Sequence, residues 1–158
     1  MGKTSLIRRF VHQTFSEEHL TTLGVKVDRK TVSLPGVNVV MLLWDMHGET
    51  VDLEVPAAYL RGSAAVLLVA DASRLDQTLA PCQILLERLL SMSPNAAVQW
   101  VMNKADLIQD WEPAAAILEA AGVDIGATVK TSALDGRGVE DVFSSVASSI
   151  AGRATAGS

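Results

Sequence analysis

From Thr4 to Phe15 the apolar residues Leu6, Ile7, Phe10 and Val11 recur at helical spacing and leave Arg8, Arg9 and Gln13 outward, which predicts a first helix. Residues Val25 to Leu34 alternate apolar with polar, Pro35-Gly36 turns the chain, and Val37 to Trp44 is nearly all apolar. That order predicts a hairpin. Two further runs without alternation, Ala64 to Ala70 and Val98 to Met102, fit strands buried on both faces, as parallel sheets require. Helical periodicity marks Val51 to Leu60, Gln77 to Met92, Pro113 to Ala121 and Val139 to Ile150, the last with Val139, Val142, Phe143, Val146 and Ile150 on one stripe. A short strand, Thr128 to Thr131, runs into a loop carrying Gly136 and Gly138 before that last helix. Alternation of strand and helix implies an α/β fold, a mostly parallel sheet flanked by helices, whose ligand sits at the carboxyl ends of the strands.

Composition narrows the picture. With 158 residues, no internal repeat and no low-complexity linker, one domain is expected. Hydrophobic residues make up 49% and charged residues 20%, enough apolar surface to fold and too much for a disordered chain. A net charge of −5 argues against nucleic acid as a partner and against global attraction to anionic lipid. The single cysteine, Cys82, allows no internal disulfide or multi-cysteine zinc site and points to a reducing, cytoplasmic setting. The longest apolar run, Ala64 to Ala70, is far below the roughly 20 residues of a membrane span. The start lacks the pattern of a signal peptide, Leu6 stands where a myristoylation signal wants Ser or Thr, and the end has no cysteine for prenylation. No membrane anchor is encoded in this reading.

The chemistry lies at the strand and helix ends. Gly2-Lys3-Thr4 opens the first helix, where orphan N–H groups and the helix dipole favour a phosphate. The same tripeptide can also open a helix by chance. Asp45-Met46-His47-Gly48-Glu49 follows the hairpin, with an acid suited to a metal contact and a glycine whose N–H suits phosphate, though Asp-x-x-Gly is equally a turn. Asn103-Lys104-Ala105-Asp106 follows the strand ending at Met102. A carboxylate there can accept from both the ring N–H and the exocyclic amine of guanine, a donor pair that adenine lacks. Thr131-Ser132-Ala133 ends the next strand, where a backbone N–H can meet the guanine oxygen while Ser132 braces the loop.

In this order the four boxes resemble those of the Ras superfamily of small GTPases, with the Rab-like branch nearest on account of Trp44-Asp45-x-x-Gly48-Glu49 and Tyr59-x-Arg61-Gly62. The resemblance covers nearly the whole chain and implies a P-loop NTPase of the small G-protein fold over residues 1–152, with a disordered tail at 153–158. It implies GTP or GDP as ligand and Mg²⁺ as cofactor. Lys3 would meet the β/γ-phosphates, Thr4 and Thr22 the Mg²⁺, Asp45 that ion through water, and Gly48 the γ-phosphate. Thr4 and Thr22 are eighteen positions apart, the family's separation between its two magnesium-binding hydroxyls. Gly2 belongs to the phosphate loop, Phe15 falls on the guanine-flanking aromatic, and Asn103, Lys104, Asp106, Ser132 and Ala133 would form the guanine pocket. Thr22 and the stretch from Gly48 to Tyr59 would be the switch segments, with Gly48, Thr22 and Glu49 as the catalytic group. The implied function is a molecular switch that hydrolyses GTP slowly and answers to effector, exchange and GTPase-activating proteins.

The sequence also departs from that pattern. The family's phosphate loop reads G-x-x-x-x-G-K-[ST], and this chain begins one residue before the second glycine, so the first glycine and the strand before it are missing. That strand is central in the family's sheet, and its loss costs about 1 kcal/mol net per hydrogen bond against a total stability of about 5–15 kcal/mol. The expectation is therefore that the coding start lies upstream and that Met1 fills the variable position before Gly2. Glu49 replaces the glutamine that positions the attacking water; a carboxylate can accept from water but cannot donate toward the γ-phosphate. His47 replaces an alanine with an imidazole, a side-chain type whose unperturbed pKa of about 6.5 would allow a pH-dependent switch, while His12 and His19 read as surface residues. Leu134 replaces a lysine common after the Ser-Ala pair. Trp100, Trp111 and the Leu85-Leu86-Leu89-Leu90 cluster read as core and partner surfaces. The alternative function is a pseudo-GTPase scaffold without nucleotide turnover; an ATPase or kinase is disfavoured by Asp106.

Overall fold

A computed structural model describes residues 2–13, 25–46 and 57–156. Phe15, His19, Thr22, His47, Gly48 and Glu49, and the first six residues of the helix expected at Val51 to Leu60, lie outside them.

Helix α1 spans Lys3–His12, strands β1 and β2 span Val25–Leu34 and Val37–Met46, and a single helical turn, α2, spans Ala57–Leu60. The rest alternates: β3 at Ala65–Asp71, α3 at Leu75–Met92, β4 at Ala97–Asn103, α4 at Glu112–Ala120, β5 at Thr128–Lys130 and α5 at Val139–Ala156. Helix α5 continues through Ala156, so Arg153 to Ala156 are helical where fraying was expected. Arg153 is held there by a hydrogen bond from its guanidinium to the Asn95 carbonyl.

Ladder hydrogen bonds divide the strands into two sheets. β1 and β2 form an antiparallel hairpin with Leu34 opposite Val37 across Pro35-Gly36. Gly36 takes φ +78, a conformation that costs glycine little and fits a two-residue turn. β3, β4 and β5 form a parallel sheet in sequence order, with α3 and α4 as its crossovers.

One core joins the two sheets. Met41 and Leu43 of β2 pack with Val69 of β3, Val101 of β4, Leu6 and Phe10 of α1 and Val142, Phe143 and Val146 of α5. The rings of Phe10 and Phe143 stack with centroids 3.9 Å apart, so the stripe read on each helix is the surface that brings the two helices together. A second cluster, Ala70, Leu75, Leu79, Met102, Ala114 and Leu118, covers the other face, with Trp100 and Trp111 against it. β3 and β4 are fully buried only toward their carboxyl ends; Val98 is 37% exposed, so burial on both faces holds for half of each strand. In β2 burial alternates, with Met41, Leu43 and Asp45 inward and Val40, Leu42 and Trp44 exposed.

Candidate functional site

The carboxyl ends of β3, β4 and β5 bring Asp71, Asn103 and Thr131 together with the turn at Lys104, and Asn103 lies against Gly2 where α1 begins. Gly2 caps α1 with φ +80 and no side chain, leaving the first N–H groups of the helix open, an arrangement suited to an anion. A Cβ built on Gly2 would stand 2.5 Å from Asn103 Nδ2. Only glycine fits there, and its backbone therefore lies directly against the Asn103 amide. The Gly-Lys-Thr and Asn-Lys-x-Asp boxes, a hundred residues apart in sequence, are neighbours in space.

Asn103 is also the hub of the loop after β5. It is 1% exposed, and its Oδ1 accepts from Thr131 Oγ1 at 3.1 Å and from the Ala133 N–H at 3.3 Å. The Thr131 carbonyl accepts from the Ala105 N–H at 2.9 Å, which locks the turn after β4 to the end of β5. Ser132 Oγ accepts from the Asp135 N–H at 3.2 Å, the bracing expected of it. Gly138 takes φ +68, and a Cβ on it would collide with the Lys130 carbonyl, so glycine lets the loop close before α5. Asp106, in the short turn after Lys104, is partly exposed, and no described residue bonds its carboxylate.

Lys104 sits between these residues with φ +62, an uncommon conformation for a residue with a side chain. Its ammonium is 2.7 Å from Asp71 Oδ2. Asp71, at the end of β3, is completely buried; it also accepts from the Ser73 N–H and hydroxyl and faces Arg74 at 3.5 Å. Burial opposes ionisation of Asp71, but the hydrogen bonds from Lys104 and Ser73 and the charge of Lys104 outweigh it. They hold the carboxyl down at about 2. Sequence reasoning passed over Asp71, although it ends an apolar run in the same way as Asp45 and Asn103, and that position was the available signal.

Arg9 was also placed wrongly. Helical spacing puts it outward, yet its guanidinium donates through Nε to the Ala133 carbonyl at 2.8 Å and through Nη2 to the Leu134 carbonyl. A helical wheel cannot anticipate this, because the acceptors are main-chain atoms about 124 residues away. His12 is exposed as expected, 4.0 Å from Asp28.

On the hairpin side, Asp45 is 2% exposed, and its Oδ1 is buried without a hydrogen-bond partner among the described residues. Such an orphan is costly unless something fills its coordination. A hydrated divalent cation would do so, and a buried carboxylate oxygen without a partner fits the outer coordination of such an ion. Among the described residues no three His, Cys, Asp or Glu side chains cluster as a metal site. The Cys82 thiol, buried beside the Val69 carbonyl, is pushed up to about 11 by burial and takes no part.

These contacts bring Gly2 against Asn103 and tie Asn103 to Thr131 and Ala133, next to Lys104 and Ser132. The sequence matches the Ras family over residues 1–152. The chain belongs to the Ras family. Among relatives, it is 34% identical to the Ras-related protein Rab-4 of Dictyostelium discoideum over 146 residues, 90% of this chain and 70% of that protein. It is 34% identical to the human Ras-related protein Rab-25 over 151 residues, covering 92% and 69%. With the GTP-binding protein YPT1 of Saccharomyces cerevisiae it shares 27% over 155 residues, covering 95% and 73%. This is a Rab-like small GTPase of the Ras superfamily, and no helix among its described residues is long and apolar enough to cross a membrane.

Proposed function

We propose that this Ras-family protein binds GTP and GDP at the end of the molecule where α1 begins and cycles between the two states to control effector binding. Asn103 carries the reading. One buried amide touches the glycine that opens the phosphate site and orders the loop that would meet the base. Lys3 and the N-terminal N–H groups of α1 receive the β- and γ-phosphates; Asp106 accepts from the two guanine donors; a backbone N–H of the loop at Ala133 meets the six-position oxygen, with Ser132 bracing that loop and Phe15 assigned by the family resemblance to the guanine ring. Thr4, Thr22 and Asp45 hold magnesium, which when bound neutralises charge on the phosphate oxygens. The unsatisfied Asp45 oxygen supports that assignment.

Turnover is slow in this reading. By the family resemblance Gly48 is assigned to the γ-phosphate and Glu49 to the attacking water, from which a carboxylate accepts without donating to the charge that develops. Exchange and GTPase-activating proteins then set the cycle. Effectors have a surface to meet in the outer face of the hairpin, where Val40, Leu42 and Trp44 are exposed and Tyr59 lies 5.5 Å from the Trp44 ring. The setting is cytoplasmic, as the lone buried thiol supports.

Calorimetric titration of the 158-residue protein with GDP and with ADP, in magnesium buffer, tests the binding. Heat from GDP and none from ADP is expected. A folded protein silent toward both would replace the switch with a nucleotide-free scaffold. In single-turnover assays Glu49→Gln should hydrolyse GTP on the order of tenfold faster than the parent; an equal or slower rate removes Glu49 as the cause of slow turnover.

A further inference from the structure

Arg9 lies on the same helix as Lys3 and Thr4 but spends its guanidinium elsewhere. Nε donates to the Ala133 carbonyl at 2.8 Å, Nη2 to the Leu134 carbonyl and Nη1 to the Gln13 carbonyl at 3.3 Å. The side chain also runs past the loop, since a Cβ on Gly136 would meet Arg9 Cδ at 3.8 Å. A rigid planar fork that engages two successive carbonyls fixes the orientation of the peptide units between them, which a single ammonium cannot do. Ala133 is buried, whereas Leu134 is 53% exposed and offers the loop no polar side chain of its own. The main chain at 133–134 is thus held from the carbonyl side by Arg9 and from the amide side by Asn103, through the Ala133 N–H at 3.3 Å.

We infer that Arg9 is a positioning residue for base selection: by gripping the Ala133 carbonyl it fixes the Ala133–Leu134 peptide unit, so that the N–H of that unit, Leu134's, is aimed at the six-position oxygen of guanine while the Ala133 N–H stays on Asn103. This rests on the proposed guanine-nucleotide site and adds a residue to it. It also makes α1 a physical link between the two ends of the nucleotide, because one helix presents its first turn to the phosphates and clamps the base loop further along. Loss of the clamp lets the loop sample orientations in which the Leu134 N–H no longer faces the base, while the phosphate contacts and the Asp106 contact to the exocyclic amine remain.

The distinguishing ligand is 2-aminopurine riboside 5′-diphosphate, which keeps the amine and phosphates but lacks the six-position oxygen. Affinities for it and for GDP are measured by calorimetry on the parent, Arg9→Lys and Arg9→Ala, with Arg8→Ala as a control from the same helix. The parent should favour GDP. In both Arg9 variants GDP affinity should fall roughly tenfold with the 2-aminopurine affinity little changed, so that the ratio collapses; Arg8→Ala should keep the parent's ratio. Equal losses for both ligands would make Arg9 a general brace and overturn the inference, as would an unchanged ratio or failure of both Arg9 variants to fold. A parent that binds no GDP overturns the nucleotide site itself, and this inference with it.

Discussion

On the side of the proposed base pocket, Asn103, Thr131, Ala133 and Ala105 are joined by hydrogen bonds, Ser132 accepts from Asp135, and Lys104 is tied to a buried carboxylate. On the phosphate side, the Asp45 oxygen has no partner among the described residues and α1 opens without a side-chain cap. Under the proposed function, the contrast follows from what each half has to recognise. A base is read by directional hydrogen bonds, which require donors and acceptors already in place. Phosphate and magnesium bring large charges and their own ligands, so groups left unsatisfied there can be filled when the nucleotide arrives. One half is thus self-supporting, and the other is completed by its ligand.

The largest expected effect comes from breaking the self-supporting half. Asn103→Ala removes the acceptor for Thr131 and Ala133 inside the protein, and each buried group left unpaired costs about 1–3 kcal/mol. Thermal or denaturant unfolding should show a loss of about 3 kcal/mol even without nucleotide. Asp45→Asn should do the opposite, leaving the nucleotide-free protein within about 1 kcal/mol of the parent because no native partner is lost. Its nucleotide affinity should lose on the order of tenfold of its magnesium enhancement, read by titration with and without the metal.

Asp71 sharpens the comparison by pH. Its folded value is lowered from 3.8 to about 2, so the unfolded chain binds the proton more readily. The stabilisation is present in full above the unfolded value and is lost as pH falls through about 2. Acid unfolding of the parent should therefore steepen below about pH 4, and Asp71→Asn should be less stable near neutrality and flatter over that interval. The smallest effect on stability belongs to Asp106→Asn, expected within about 0.5 kcal/mol because its carboxylate supports no described neighbour. Its effect should fall on base preference. An amide can match the ring N–H and carbonyl of xanthine where a carboxylate matches the two donors of guanine, so competition between GDP and xanthosine diphosphate should shift toward the latter.

Periodicity was a sufficient guide to α1, the hairpin, β3, α3, β4, α4 and α5, because each must bury one face or both, and burial imposes its spacing on the sequence. Boundaries moved by a few residues where a polar residue ends an apolar strand, as Asp71 and Asn103 do, or where a helix continues on small residues, as α5 does through Ala151 and Gly152. The site boxes were legible as well, because a glycine needed for close approach and a carboxylate needed for two donors leave little choice of residue type.

Arg9, Asp71 and the hub role of Asn103 were not legible in that way. Their partners are main-chain carbonyls and amides, which every residue carries and no residue letter encodes, or a charge brought near by the α3 crossover. The sequence by itself determined which segments would be helix or strand and which residue types stood at their ends, because local periodicity and side-chain chemistry are written residue by residue. Only the tertiary structure decided that Gly2 would lie against Asn103, that Lys104 would find Asp71 and that Arg9 would turn back to the base loop. Those contacts join positions from 33 to more than a hundred residues apart, and their geometry exists only once the two sheets and their helices have packed.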